Sequence, residues 1–145
     1  MKALFDSNIV VAGVLRGHVH HERAAHWLNR ALSGEVQGCI SATTVAECYA
    51  VLTTYPDAKA RPGPHQAVRM LEDLIGQGVE VVSLSATDYL EVVGSLADRN
   101  IRGRLVYDAM IARAAAQARV DRLITFNVAD FVRVWPLDPA MVHAP

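Results

Sequence analysis

The sequence predicts an α/β fold, a three-layer sandwich in which helices cover both faces of a central, mostly parallel sheet of four to five strands. Two observations lead there. Short apolar runs alternate along the chain with longer segments whose apolar residues recur every three or four positions. Parallel neighbours need crossover connections, and the helical segments are long enough to supply them. A composition of 52% hydrophobic and 20% charged residues is that of an ordinary packed domain. With no internal repeat, low-complexity stretch or linker, the 145 residues are expected to form one domain spanning 1–145.

Lys2 to Phe5 is an apolar run that stops at Asp6-Ser7-Asn8, residues that cap helices and turns, so a buried strand leads into a helix. From His21 to Leu32 the residues Ala24, Ala25, Leu28, Ala31 and Leu32 make one helix face, and Gly34 is placed to end it. Gly38 to Ile40 is a second short strand. Thr43 to Tyr55 predicts a helix carrying Val45, Cys48, Tyr49, Val51 and Leu52, and Pro56, Pro62, Gly63 and Pro64 mark the loop before another helix from His65 to Ile75. Val79 to Leu84 is the third strand. Ser85 caps a helix reaching about Asp98, the loop Arg99 to Arg104 follows, and Asp108 begins an alanine-rich helix through Ala118 suited to close packing on a sheet. Arg122 to Thr125 supplies a fourth strand.

A net charge of -1 argues against a surface that grips nucleic acid everywhere. Any such site must be local, and Arg99, Arg102 and Arg104 are the basic stretch available for phosphate. Cys39 and Cys48 show neither disulfide-framework nor zinc-finger spacing, which fits a reducing cytoplasm. Asp6 interrupts the first apolar stretch and Ile9 to Leu15 is too short to span a bilayer, so no membrane association is expected.

Ligands of open parallel sheets bind beyond the carboxyl ends of the strands. Asp6 follows the first strand and Asn127 and Asp130 follow the fourth; Glu47 lies one turn into the helix after the second, and Asp108 lies at the start of the alanine-rich helix. Three or four carboxylates in one pocket repel each other and resist desolvation, so such a cluster calls for a cation. Oxygen ligands select hard ions, Mg²⁺ or Mn²⁺, which suit phosphodiester hydrolysis. Each acid also has a structural role open to it. Asp6 can cap the first helix, Thr44 and Glu47 form a capping-box pattern, Asp108 suits a helix start, and Asp130 can stabilise a turn. Capping alone, however, does not require all of them to share one sheet edge. His18, His20 and His21 lack a matching ligand cluster and read as an exposed, titratable loop. Trp27 and Tyr49 fall on apolar helix faces, as core or partner contacts rather than base-stacking platforms.

The segments Leu4-Phe5-Asp6-Ser7-Asn8, Ser41-Ala42-Thr43-Thr44-Val45-Ala46-Glu47, Tyr107-Asp108-Ala109-Met110-Ile111-Ala112 and Leu123-Ile124-Thr125-Phe126-Asn127-Val128-Ala129-Asp130-Phe131 resemble, in order, the four motifs of PIN-domain ribonucleases. The resemblance spans nearly the whole chain and extends to small VapC-like toxins of type II toxin–antitoxin systems. It implies Mg²⁺- or Mn²⁺-dependent endonucleolytic cleavage of RNA, with Asp6, Glu47 and Asp108 as core acids. Asp130 is expected to be the fourth acid and Asn127 a neutral oxygen ligand or a water-positioning group. Ser7 and Thr125 resemble the hydroxyl residues that flank the family's site, with substrate contact or helix and strand-end capping as their two roles, and Asn8 would stand behind them. A VapB-like antitoxin and a homodimer are implied as partners, with exposed apolar residues around Trp27 and Val51 as part of those surfaces. The rival expectation is a non-catalytic PIN-like module that binds metal or RNA. A phosphorylated receiver domain fits poorly, since the acids after the first strand are unpaired and the lysines are only Lys2 and Lys59.

Overall fold

The computed structural model describes residues 1–134 and 138–145. Its sheet has five strands: β1 (Lys2–Phe5), β2 (Gln37–Ser41), β3 (Glu80–Val82), β4 (Arg122–Ile124) and β5 (Val142–His143). They lie in the order β3-β2-β1-β4-β5. Every pairing is parallel, with Leu4 flanked by Cys39 and Leu123. The seven helices among the described residues are α1 (Ser7–Val14), α2 (His21–Leu32), α3 (Ala42–Thr53), α4 (Pro64–Gly76), α5 (Ala86–Asp98), α6 (Leu105–Gln117) and α7 (Val128–Val134). None of them is long and apolar enough to cross a membrane.

The period of two along a strand divides the core. Ala3 and Phe5 point to one face, where α1 to α4 bury Ile9, Val10, Trp27, Leu28, Leu52 and Leu71; Leu4 points to the other, where α5 to α7 bury Val92, Ile111, Ala115 and Phe131. Alanines 109, 112, 114 and 115 on α6 are all buried, as close approach to the sheet demands. The three-layer α/β expectation therefore holds, with the fifth strand present.

Local chemistry sets the helix ends. Asp6 has extended backbone and accepts from Ser7 N, which starts α1. Gly34, just past the C-cap Ser33 of α2, takes a φ of +79°, where a side chain would be strained. Pro64 occupies the first turn of α4 after Gly63. Ser85 and Asp88 cap α5 reciprocally: Asp88 N donates to Ser85 Oγ at 3.1 Å, and Ser85 N donates to Asp88 Oδ2 at 2.9 Å.

Several boundaries differ from the sequence expectation. Ser41, not a residue inside the helix, caps α3. Helix α6 begins at Leu105, three residues before Asp108, which lies in its first turn. Strand β3 stops at Val82, short of Leu84. Trp27, expected near a partner surface, is 8% exposed and belongs to the core, whereas Val51 is 46% exposed.

Gly38 lets β2 pass close to Ala31 of α2. An added Cβ there would fall 2.7 Å from Ala31 Cβ and 2.9 Å from Phe5 Cε2. Neither neighbour has a flexible end that can swing away, so Gly38→Ala is expected to cost about 1–3 kcal/mol of stability through overpacking. Urea denaturation measures it, and an unchanged midpoint would mean that α2 yields without cost.

Candidate active site

The order β3-β2-β1-β4-β5 places the change of winding direction between β1 and β4, the crevice where such sheets bind ligands. Asp6 leaves β1 there, and Thr125 leaves β4. A cavity of about 700 Å³ opens over this edge; its lining includes Ser7, Glu47, Asp108, Asn127 and Asp130. Asp6 is 2% exposed, buried beside the cavity rather than lining it. Three acids from three helices thus line one cavity, with Asp6 buried beside it.

The buried end is tightly built. Asp6 Oδ1 accepts from Ser7 N at 2.6 Å and from Ser7 Oγ at 3.2 Å, and Asp6 Oδ2 accepts from Thr125 Oγ1 at 2.7 Å. Thr125 Oγ1 in turn accepts from Asn127 N at 2.9 Å and from Asn8 Nδ2 at 3.3 Å. Asn8 Oδ1 accepts from Phe126 N at 3.3 Å, so Asn8 ties α1 to the end of β4. Thr125 is fully buried, which corrects its expected contact with substrate: its hydroxyl orients the Asp6 carboxylate. Three of the roughly four acceptor positions on that carboxylate are filled.

The electrostatics follow from crowding. Burial raises the Asp6 carboxyl above its ordinary range, against the bonds from Thr125 and Ser7. Burial also raises Glu47, where the neighbouring Ser7 opposes the rise, Asp6 adds to it and Arg104 relieves it. Asp108 is pushed up to about 7 by burial, then by the charges of Asp6, Asp130 and Glu47, with Arg104 opposing. Crowding and burial thus favour the protonated form of Asp108 up to about neutral pH when no further positive charge is present. Glu47 does not serve a cap: Ser41 Oγ accepts from Thr43 N at 3.3 Å, and Thr44, buried inside α3, has a hydroxyl without a partner among the described residues. The Thr44–Glu47 capping box is thus absent, leaving the Glu47 side chain on the cavity wall.

The basic loop divides. Arg102 and Arg104 line the acidic cavity, but Arg99 caps α5, donates to the Arg133 carbonyl and lines a separate cavity beside Arg113. Arg99 is accordingly removed from the expected phosphate contacts. Arg133 and Tyr107, which sequence reasoning missed, also line the acidic cavity. Arg133 lies one helical turn beyond Asp130, a spacing that points to it once α7 is known to be a helix.

The donor chemistry, carboxylate and amide oxygen, fits a hard divalent ion. Among the described residues no three His, Cys, Asp or Glu side chains are poised to grip one ion together.

Comparison with known proteins agrees with this geometry. The PIN domain family model matches residues 3–134. Ribonuclease VapC27 of Mycobacterium tuberculosis is 31% identical over 117 residues, covering 80% of this chain and 78% of that protein. The crystal structure of Mycobacterium tuberculosis VapC20, a Sarcin-Ricin loop cleaving toxin, superposes with a TM-score of 0.70 at 14% identity, covering 92% of this chain and 95% of that one. A toxin–antitoxin complex from Klebsiella pneumoniae matches with a TM-score of 0.59 at 25% identity over 94% of this chain and 97% of that one. Family model, fold and sequence relatives agree, and the chain belongs to the PIN-domain family, as a ribonuclease of the VapC type.

Proposed function

We propose that this chain is a Mg²⁺- or Mn²⁺-dependent endoribonuclease, the toxin of a toxin–antitoxin pair, working in the cytoplasm as one nuclease domain over residues 1–145. The observation that carries the reading is the convergence of Glu47, Asp108 and Asp130 on one cavity, with Asp6 buried beside it. Asp108, Glu47 and Asp130 would hold the ion, with Asn127 as a neutral oxygen and Asp6 supplying charge and its remaining acceptor position. Such an ion supplies charge neutralisation at the phosphate and acidifies a water for attack.

The chain's own groups do the rest. Arg102, Arg104 and Arg133 on the cavity lining meet substrate phosphates as point charges and forks. Ser7 lines the cavity while bonded to Asp6, so its hydroxyl spans acid and substrate. Asp130 fills the fourth acidic role better than Asn127, because its charge is felt at Asp108. Partners are a small VapB-like antitoxin that blocks the cavity, and a second copy in a homodimer.

The test is cleavage of a mixed RNA pool by purified protein. Cutting with Mg²⁺ or Mn²⁺ that EDTA abolishes is expected. Metal binding without any cutting would overturn the nuclease reading in favour of a non-catalytic PIN-like module. Thr125 gives a sharper check on the buried network. Thr125→Val keeps the volume but removes a hydrogen bond to a charged group, worth about 1.5–3 kcal/mol. Cleavage at saturating RNA is expected to fall roughly tenfold to a hundredfold, and Thr125→Ser should restore it. Equal rates in both variants would reduce Thr125 to packing.

A further inference from the structure

The histidine segment before α2 and the residue after Thr125 meet beside the acidic site. A second cavity of about 310 Å³ includes His18, His20, Tyr55 and Phe126 in its lining. It shares Ser7, Val51 and Asn127 with the acidic cavity, so the two adjoin. Its wall is a run of ring faces. His20 stacks on Phe126 with centroids 4.7 Å apart and planes at 28°. His18 packs against His20 at 5.7 Å and Tyr55 at 6.1 Å, and the Arg23 guanidinium stands 5.5 Å from the Phe126 centroid. Phe126 is fixed by its backbone bond to Asn8, the residue that also holds Thr125.

We infer that this aromatic cavity is a nucleobase subsite, which takes the base of an unpaired nucleotide next to the phosphate bound at the acids. This rests on the ribonuclease reading above. Flat rings that are exposed or only partly buried suit a base, since stacking tolerates any base and needs no charge. His18 is shifted toward its neutral form by partial burial and then by His20 and His21. Arginines of the loop before α6 and of α7 line the acidic cavity, while rings line the adjoining one. A single strand crossing the site therefore finds charge for its backbone and a stacking wall for one base. A duplex could not offer that base, so cleavage is confined to unpaired segments.

His20 is exposed and its removal leaves the core intact, which makes His20→Ala the clean variant. The test follows cleavage of short single-stranded RNAs, each with one abasic ribose at a different position around the cut. Wild type is expected to lose about tenfold in kcat/KM at one adjacent position, ~1.4 kcal/mol, within the range for one stacked base. His20→Ala should lose a similar factor on intact RNA and no further factor on the abasic substrate at that position. In parallel, a fluorescent purine analogue at that position should be quenched on binding to wild type and remain bright with His20→Ala. Cutting by wild type with no abasic effect and no quenching overturns the subsite and leaves the nuclease reading standing. Quenching that needs His20, without cutting of any RNA, upholds the subsite and sinks the nuclease reading. Neither quenching nor cutting overturns both.

Discussion

Asp6→Asn protein is expected to fold normally and to cut RNA at least about a thousandfold more slowly than wild type, ~4 kcal/mol of lost transition-state stabilisation. The fold should survive because an asparagine keeps the two geometrical roles of Asp6. Its carbonyl oxygen can accept from Ser7 N, as Asp6 Oδ1 does at 2.6 Å. Its amide can donate to the Thr125 hydroxyl oxygen once that hydroxyl rotates, replacing the 2.7 Å bond to Oδ2. Burial is also easier for a neutral group than for a carboxylate that is 2% exposed and raised by desolvation. Only the charge disappears, and it is the charge that a divalent ion and its phosphate require. Circular dichroism and single-turnover cleavage together decide the matter. Cutting within tenfold of wild type would leave Asp6 as a helix cap and move the chemistry to the acids lining the cavity.

That outcome matters because the cap and the acid are the same atoms. From sequence, Asp6 carried both roles with nothing to separate them, and the structure shows both: it starts α1 and sits beside Glu47 and Asp108. Glu47 was legible for a weaker reason. A Thr-x-x-Glu pattern suggests a cap, and only the seat of α3 on Ser41 shows that the pattern is incidental. The core strands were readable because they are continuous apolar runs. Strand β5 was not, since Val142–His143 has two residues and owes its strand state to pairing with β4. Arg99 and Arg104 illustrate the limit of one-dimensional charge. They lie five positions apart in one basic stretch, yet the end of α5 turns the first toward α7 and the start of α6 leaves the second beside the acids. Thr125 looked available to substrate because its environment is made by Asp6 and Asn8, both more than a hundred residues away.

Mg²⁺ or Mn²⁺ is expected to raise the melting temperature of wild type by roughly 8–10 °C when it is a hundredfold above its dissociation constant. Binding to the folded state alone stabilises by about 2.7 kcal/mol under that condition, and for a chain of this size each kcal/mol moves the midpoint by roughly 3–4 °C. The pH dependence identifies the group responsible. In EDTA, Asp108 is raised from 3.8 to about 7 by burial and by its acidic neighbours. Between those values the folded protein holds a proton that the unfolded chain has released, so the contribution of Asp108 to stability is fully present below about 4 and is lost as pH rises through about 7. A dry group would contribute about 4 kcal/mol over that interval; Asp108 is only half-buried and water screens it, so about 1–2 kcal/mol is expected. Asp108→Asn should remove that slope and, in EDTA above pH 7, be the more stable protein. With the cation the order reverses. The ion must displace the Asp108 proton, so its apparent affinity weakens as pH falls below about 7, and the variant loses most of the metal-induced rise. Thermal melts of both proteins at several pH values, with Mg²⁺ and with EDTA, measure all of these together. An identical metal-induced rise in wild type and Asp108→Asn would place the ion elsewhere, because a carboxylate disfavoured by burial and by neighbouring acids should gain from the arrival of a counter-charge.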